Sequence, residues 1–341
     1  MFRKIIDLIS QSLFTLLALY LTYLLLRYPS QALEYASTGL TLWFQKMIPT
    51  LLPFMILSGI MVRMNMTERF ARCFHPLFHK LWGTSMNGSY AILMGMLCGF
   101  PMGARVIGEL CKAGKLSEDE GAYLLAFCNN IGPIYFLSFV MSTLSISGNY
   151  IPFAIMYGVP LCYGYVLRFI VYITQRIRKL PSSPDFLSGT SGVSASLRAA
   201  SIHLNSTPIA KSQTPSLLMA IDDSVISGLI GIGKLGGYMV FFNLLNILFI
   251  PFSALPENFL SLCNCILEIT SGISRTGGTG FYMILILLPF GGLSCIAQTY
   301  SMIKDTNLSI NNYFIHKCIQ TAITALIYLI VFASSSSSVF L

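Results

Sequence analysis

The sequence predicts an all-α polytopic membrane protein made of two inverted repeats with re-entrant helical hairpins. Three observations predict it. The 341 residues are 55% apolar and only 10% charged, where a soluble domain carries about 25% charged residues. Several windows reach the roughly 20 apolar residues that cross a bilayer. Between such windows, the stretch 96–133 holds Arg105, the carboxylates Glu109, Glu118, Asp119 and Glu120, the pair Asn129-Asn130 and two Gly/Pro breaks. A plain span has no use for these. Helix breakers at membrane depth are tolerated where the freed backbone groups meet protein or a water-filled cavity.

Taken in order, Met1 to Lys4 is a short basic start, and Ile5 to Leu26 is a nearly continuous apolar run. That run is too long for a signal-peptide core, so it reads as a retained span with the N-terminus inside. Leu40 to Val62 is the next span, with Pro49 and Pro53 predicting a kink. Arg63 to Ser89 alternates aromatic residues with Arg63, Arg69, Arg72 and Lys80, the pattern of an amphipathic helix lying in the headgroup region.

Tyr90 to Phe100 is too short to cross at about 1.5 Å per residue. Gly99, Pro101 and Gly103 break it, and a new helix is predicted from about Ala104. Lys112 to Lys115 forms a turn. Ser117 with Glu120 has capping-box spacing and starts the next helix, which ends at Asn129-Asn130. Ile131 to Leu144 continues beyond Gly132-Pro133, and Tyr150 to Ile173 spans again. Residues 174–216 turn polar, Ser/Pro-rich and basic, as a cytoplasmic linker does. The second half opens with Leu217 to Ile250, in which Asp222 and Asp223 are expected to cap a helix. An interrupted segment follows, 259–280, containing Glu268, Ser271, Gly272 and Arg275. The next span carries Gly291, Gly292 and Gln298, and Tyr313 to Phe332 closes the chain.

The formal charge of +8 sits in loops between spans, as the positive-inside rule gives with no ligand, so no nucleic-acid partner is expected. The N-terminus, 63–89 and 174–216 all fall inside only if 90–130 enters and leaves on one side. That charge count predicts the first hairpin. The second then enters from the opposite face, an inverted repeat with broken helices meeting at mid-membrane, as in many secondary transporters.

Ionisable residues at membrane depth point to function. Arg105, Arg275 and Glu268 are therefore candidate substrate contacts, with Asn129, Asn130, Ser271 and Gln298 as neutral donors and acceptors beside the breaks. A bland reading pairs Arg105 with Glu109, and Arg275 with Glu268. Gly99, Pro101, Gly103, Gly132, Pro133, Gly272, Gly291 and Gly292 are expected to supply the breaks. The nine Cys lack a C-x-x-C and mostly lie in apolar runs, and the four His are scattered, so no metal or cofactor is expected. No Ser/His/Asp set or nucleotide loop suggests an enzyme.

Gly99-Phe-Pro-Met-Gly-Ala-Arg105, Phe127-Cys-Asn-Asn-Ile-Gly-Pro133, Leu267-Glu-Ile-Thr-Ser-Gly272 and Gly291-Gly-Leu-Ser with Gln298 give the chain a likeness beyond its composition. In these motifs, spread over roughly 35–335, it resembles the sporulation integral membrane proteins of the YlbJ type, in the nucleoside-recognition or gate-domain group. The chain then divides into an N-terminal transmembrane helix at 1–34, a first gate repeat at 35–173, the polar cytoplasmic linker 174–216, a second gate repeat at 217–335 and a tail at 336–341; the resemblance implies the two gate repeats and assigns nothing to the linker. It implies export of dipicolinate, an aromatic dicarboxylate, across the cell or forespore membrane of an endospore former. The partners expected are then that small anion and the lipid bilayer, with a homo-oligomer left open. A nucleoside transporter and a non-transporting sporulation scaffold are the alternatives.

Overall fold

The computed structural model of the protein describes residues 2–146, 148–178, 216–252, 254–276 and 281–337. Every regular element among them is helical. Among the described residues six segments are long and apolar enough to cross a membrane: Pro29–Arg63, Glu118–Thr143, Ile151–Ile170, Leu217–Phe252, Tyr282–Ile303 and Ile310–Val331. The protein is a multi-pass integral membrane protein.

Helix α1 (Phe2–Arg27) ends at Tyr28, and α2 (Pro29–Leu42) starts at once with a proline at its first position, where no N–H is needed. The second crossing thus begins about ten residues before the apolar window does. The distortion expected at Pro49 and Pro53 lies one turn earlier, as a π-helical turn at Trp43–Met47, after which α3 (Ile48–Arg63) runs on through Pro53. A proline ring crowds the preceding turn, and widening that turn relieves it.

The amphipathic stretch 63–89 is two short helices, α4 (Thr67–Ala71) and α5 (His75–Trp82). Their inner residues Thr67, Ala71 and Trp82 are buried, while Arg69, Arg72 and Lys80 face outward. Both pack on α6 (Met86–Cys98). Ser85 starts α6 by accepting from Gly88 N–H at 3.0 Å. At 13 residues and about 1.5 Å each, α6 does not span. Helix α7 (Met102–Lys112) doubles back on it, and α8 (Glu118–Cys128) follows from the Ser117 cap, whose hydroxyl accepts from Glu120 N–H at 3.2 Å. After a break, α9 (Pro133–Tyr135) leads through a π turn at Phe136–Val140 into α10 (Met141–Thr143).

Helix α11 (Ile151–Arg178) carries the helix five residues past the point where the linker was expected to begin. Most of that linker, 179–215, and the tail 338–341 lie outside the described residues. Helix α12 (Leu217–Leu244) is capped by the Ser216 hydroxyl, 3.3 Å from Met219 N–H. Asp222 and Asp223 therefore do not cap it; they lie inside it, exposed. A 3-10 extension reaches Phe252. The second broken unit comprises α13 (Glu257–Leu267), α14 (Ile269–Thr276), α15 (Phe281–Leu287) and α16 (Gly292–Ile303), and α17 (Ile310–Ser337) closes the chain.

Two apolar cores result. One centres on α6–α8, with Tyr90, Met102, Ile107 and Phe127, and the other on α9–α10 with α13–α16, including Phe136, Ile269, Ile273 and Leu288. Phe100, at the turn between α6 and α7, packs against both. Helices α2, α3 and α12 pack along one another as an unbroken frame beside them.

Candidate functional site

Four interruptions of helix meet at one place. The first is Gly99-Phe100-Pro101: Gly99 ends α6 at φ +82°, a conformation open to glycine but strained for other residues. The second is Asn129 to Gly132, closed by Pro133 at the first position of α9. The third is Glu268, between α13 and α14. The fourth ends at Gly291 and Gly292, both at positive φ, before α16. Together they enclose a cavity of about 60 Å³. Phe100, Gly132, Tyr135, Glu268, Gly291 and Gln298 line it, and α12 and α3 close its side with Leu235, Met239, Leu51 and Phe54. A water needs about 10–15 Å³ on this measure, so the free space takes a few waters.

The remaining expected break residues are not breaks. Gly103 lies in the first turn of α7, and a Cβ there would come 2.8 Å from Cys128 O. Gly272 lies within α14, where a Cβ would come 2.7 Å from Cys265 Cα. Both are glycine because another backbone passes within contact.

Most of the polar groups at the breaks are buried and bonded to one another. Glu268 is 1% exposed. Its two carboxylate oxygens accept from Thr270 N–H at 3.2 Å and Ser271 N–H at 2.7 Å, with Asn243 Nδ2 at 3.4 Å. The carboxylate thereby caps α14, whose first N–H groups have no partner within the helix. Ser271 Oγ donates back to Glu268 O at 3.2 Å. Gln298, on the cavity wall, donates to Ser294 Oγ at 2.9 Å. Asn129 joins three elements: its Oδ1 accepts from Ala104 N–H at 3.2 Å, and its Nδ2 donates to Thr299 Oγ1 at 3.1 Å and Tyr313 OH at 3.0 Å.

Asn130 leads to a residue the sequence reading passed over. Its Oδ1 accepts from Lys317 Nζ at 2.6 Å. Lys317 is 0% exposed in the third turn of α17. Its ammonium also reaches Gln320 Oε1 at 3.4 Å and lies 5.0 Å from the Phe100 ring centroid and 5.6 Å from that of Tyr313. Among the described residues no ion pair joins it to a carboxylate. A cation at mid-membrane costs about 2.5–3.5 kcal/mol on insertion scales, so it persists there for a reason. The available signal was its being the single Lys or Arg in the apolar run 310–332.

The two arginines lie elsewhere. Arg105 is 4% exposed and pairs with Glu109, Nε to Oε1 2.8 Å, while a second nitrogen donates to Ser227 Oγ at 2.9 Å. It lines a separate polar cleft of about 320 Å³ with Arg63, Lys112, Asp223, Lys234 and Asp305. At that cleft Lys112 Nζ reaches Asp305 at 2.9 Å, and this bond holds the exposed Asp305 carboxyl below the usual carboxylate range. Arg275 is half-buried and stacks on Tyr35 of α2, its Cζ 4.2 Å from the ring centroid. The structure therefore brings Glu268 and Gln298 to the cavity wall, with Ser271 bonded to Glu268 behind it, and sets Asn129, Asn130 and Lys317 at the adjoining break. It brings neither arginine to them.

Fold and site together define a class: a helical multi-pass membrane protein with an internal site at converging helix interruptions. Within that class the chain is similar to the sporulation integral membrane protein YlbJ of Bacillus subtilis (strain 168). It is 22% identical over 335 residues, covering 89% of this chain and 78% of the relative. The chain is a homologue of the YlbJ type. No family model matches it, and no solved structure matches it.

Proposed function

We propose that the protein is a secondary transporter that moves a small organic anion, dipicolinate, across a membrane during endospore formation. One observation carries the reading: interruptions from both halves of the chain converge on one cavity beside buried polar groups. Broken helices at membrane depth are what such transporters use to place backbone and side-chain groups at a mid-membrane site. The two halves correspond as inverted repeats, with α6–α7 answering α13–α14 as the re-entrant hairpins, and α8–α9 answering α15–α16. The relative's name supplies sporulation, and the resemblance of the break motifs supplies the gate-domain architecture and the dicarboxylate.

A space of about 60 Å³ is smaller than any of these cargoes. Cargo then enters after lining side chains, Phe100 and Tyr135 among them, move off the cavity. A second reading has its own support. Glu268 and Gln298 line the cavity while Arg105 and Arg275 do not, which suits a neutral polar cargo such as a nucleoside. Purified protein in lipid vesicles decides between them. Saturable uptake of labelled dipicolinate, not competed by uridine, is the expected result. Uptake of uridine with no dipicolinate signal establishes the second reading, and uptake of neither removes both.

A further inference from the structure

We propose that Lys317 is the charge that selects an anion at this site, reached by a carboxylate when the Phe100 side chain turns aside. This deepens the transport reading and rests on it for the choice of cargo. Four observations carry it. Lys317 is fully buried in a membrane-spanning helix, and no carboxylate pairs with it among the described residues. Its strongest contact is a neutral amide oxygen, Asn130 Oδ1 at 2.6 Å, at the very interruption that borders the cavity. Phe100 touches both sides, since its ring lines the cavity and also lies 5.0 Å from the ammonium.

A buried ammonium held by two neutral amide oxygens and ring faces is short of negative charge. A carboxylate arriving beside it gains a charge-assisted hydrogen bond in a low-dielectric setting, where such bonds are strongest. Neither Asn130 nor Gln320 needs to leave, because an ammonium has three donors. The cavity wall also carries Glu268, whose charge is already committed to the N-terminus of α14. Anion preference therefore falls to Lys317, and the arginine of the polar cleft, already paired with Glu109, is not required for it.

The alternative is that Lys317 only ties α17 to the Asn130 break. Lys317→Gln separates the two, because glutamine keeps a donor for Asn130 and removes the charge. Two readouts are taken on the full chain: uptake in vesicles, and thermal stabilisation in detergent by dipicolinate and by its neutral diamide analogue. The expected result is that dipicolinate stabilises wild type and not Lys317→Gln, that uptake KM rises at least tenfold, and that the melting point without ligand is unchanged or higher. If wild type takes up dipicolinate and Lys317→Gln does so with the same KM, Lys317 is a tie and the inference fails while the transport reading stands. If wild type transports nothing but is stabilised by dicarboxylates only when Lys317 is present, the inference stands and the transport reading fails. Equal stabilisation by diamide and dianion in wild type overturns the inference outright.

Discussion

The two interruptions that begin α7 and α14 face the same backbone problem and solve it differently. Each leaves N–H groups at a new helix start without partners inside that helix. At α14 the answer is local: Glu268, the residue at the break itself, accepts from the N–H groups two and three positions on. At α7 the answer comes from a distance, since the amide of Asn129, at the end of α8, accepts from Ala104 N–H and donates into α16 and α17. The second unit therefore carries its own cap, and the first is held by its neighbours.

The largest expected effect tests the local cap. Glu268→Ala leaves two buried N–H groups without their charged acceptor, and bonds to charged groups are worth about 1.5–3 kcal/mol each. Unfolding in detergent should report a loss of about 3 kcal/mol or more, with Glu268→Gln losing less because one acceptor oxygen remains. A loss in Glu268→Ala no greater than in Glu268→Gln would mean that α14 does not depend on its cap.

Asn129→Ala comes next, at about 2 kcal/mol, with three neutral hydrogen bonds removed in a buried place. Its signature is coupling: combined with Tyr313→Phe the losses should fall short of additive, because the two residues share a bond. Strict additivity would break the contrast between a cap supplied locally and one supplied through neighbouring helices.

The smallest effect concerns the ion pair that joins the two units at their exposed edge, Lys112 with Asp305. The Asp305 carboxyl is held low by Lys112, so its contribution is present above the ordinary carboxylate pKa of about 3.9 and is lost as pH falls through the lowered value. Solvent and salt screen an exposed pair. Asp305→Asn should melt like wild type at neutral pH and moderate salt. A large shift there would show that the units are held together at that edge.

What the sequence made legible follows from what is local. Gly99 with Pro101, Gly132 with Pro133, and Gly291 with Gly292 mark their breaks because the backbone there needs conformations or missing donors that these residues provide. Ser117 marks its helix start for the same reason. Gly103 and Gly272 were misread as breaks because close approach of another chain segment also demands glycine, and that approach is not written locally. The break at Glu268 has no Gly or Pro at all; it shows only in the pairing of its carboxylate with the N–H groups that follow. Separation of Arg105 from Arg275, and the convergence of Lys317 with Asn130 across 187 positions, are tertiary facts. A lysine in a span scanned for length reads as a tolerated exception until its neighbours are known.

The unbroken frame has a consequence of its own. Leu217–Phe252 and Pro29–Arg63 run 36 and 35 residues, about 50 Å or more of helix against a hydrocarbon layer of about 30 Å. The Trp43 indole donates to Ile232 O at 2.8 Å, and Gly236 accepts the face of the same ring, where a Cβ would come within 2.5 Å of it. This fixes the register of the pair, so the two helices cannot shorten their joint profile by sliding. A thinner bilayer is met by leaning both together. Arg275 stacks on Tyr35 of this frame, and Asn243 of α12 touches Glu268, so a lean displaces the α14 interruption as well. A change of lipid chain length is therefore expected to reach the cavity through these helices, which line it mostly with apolar side chains.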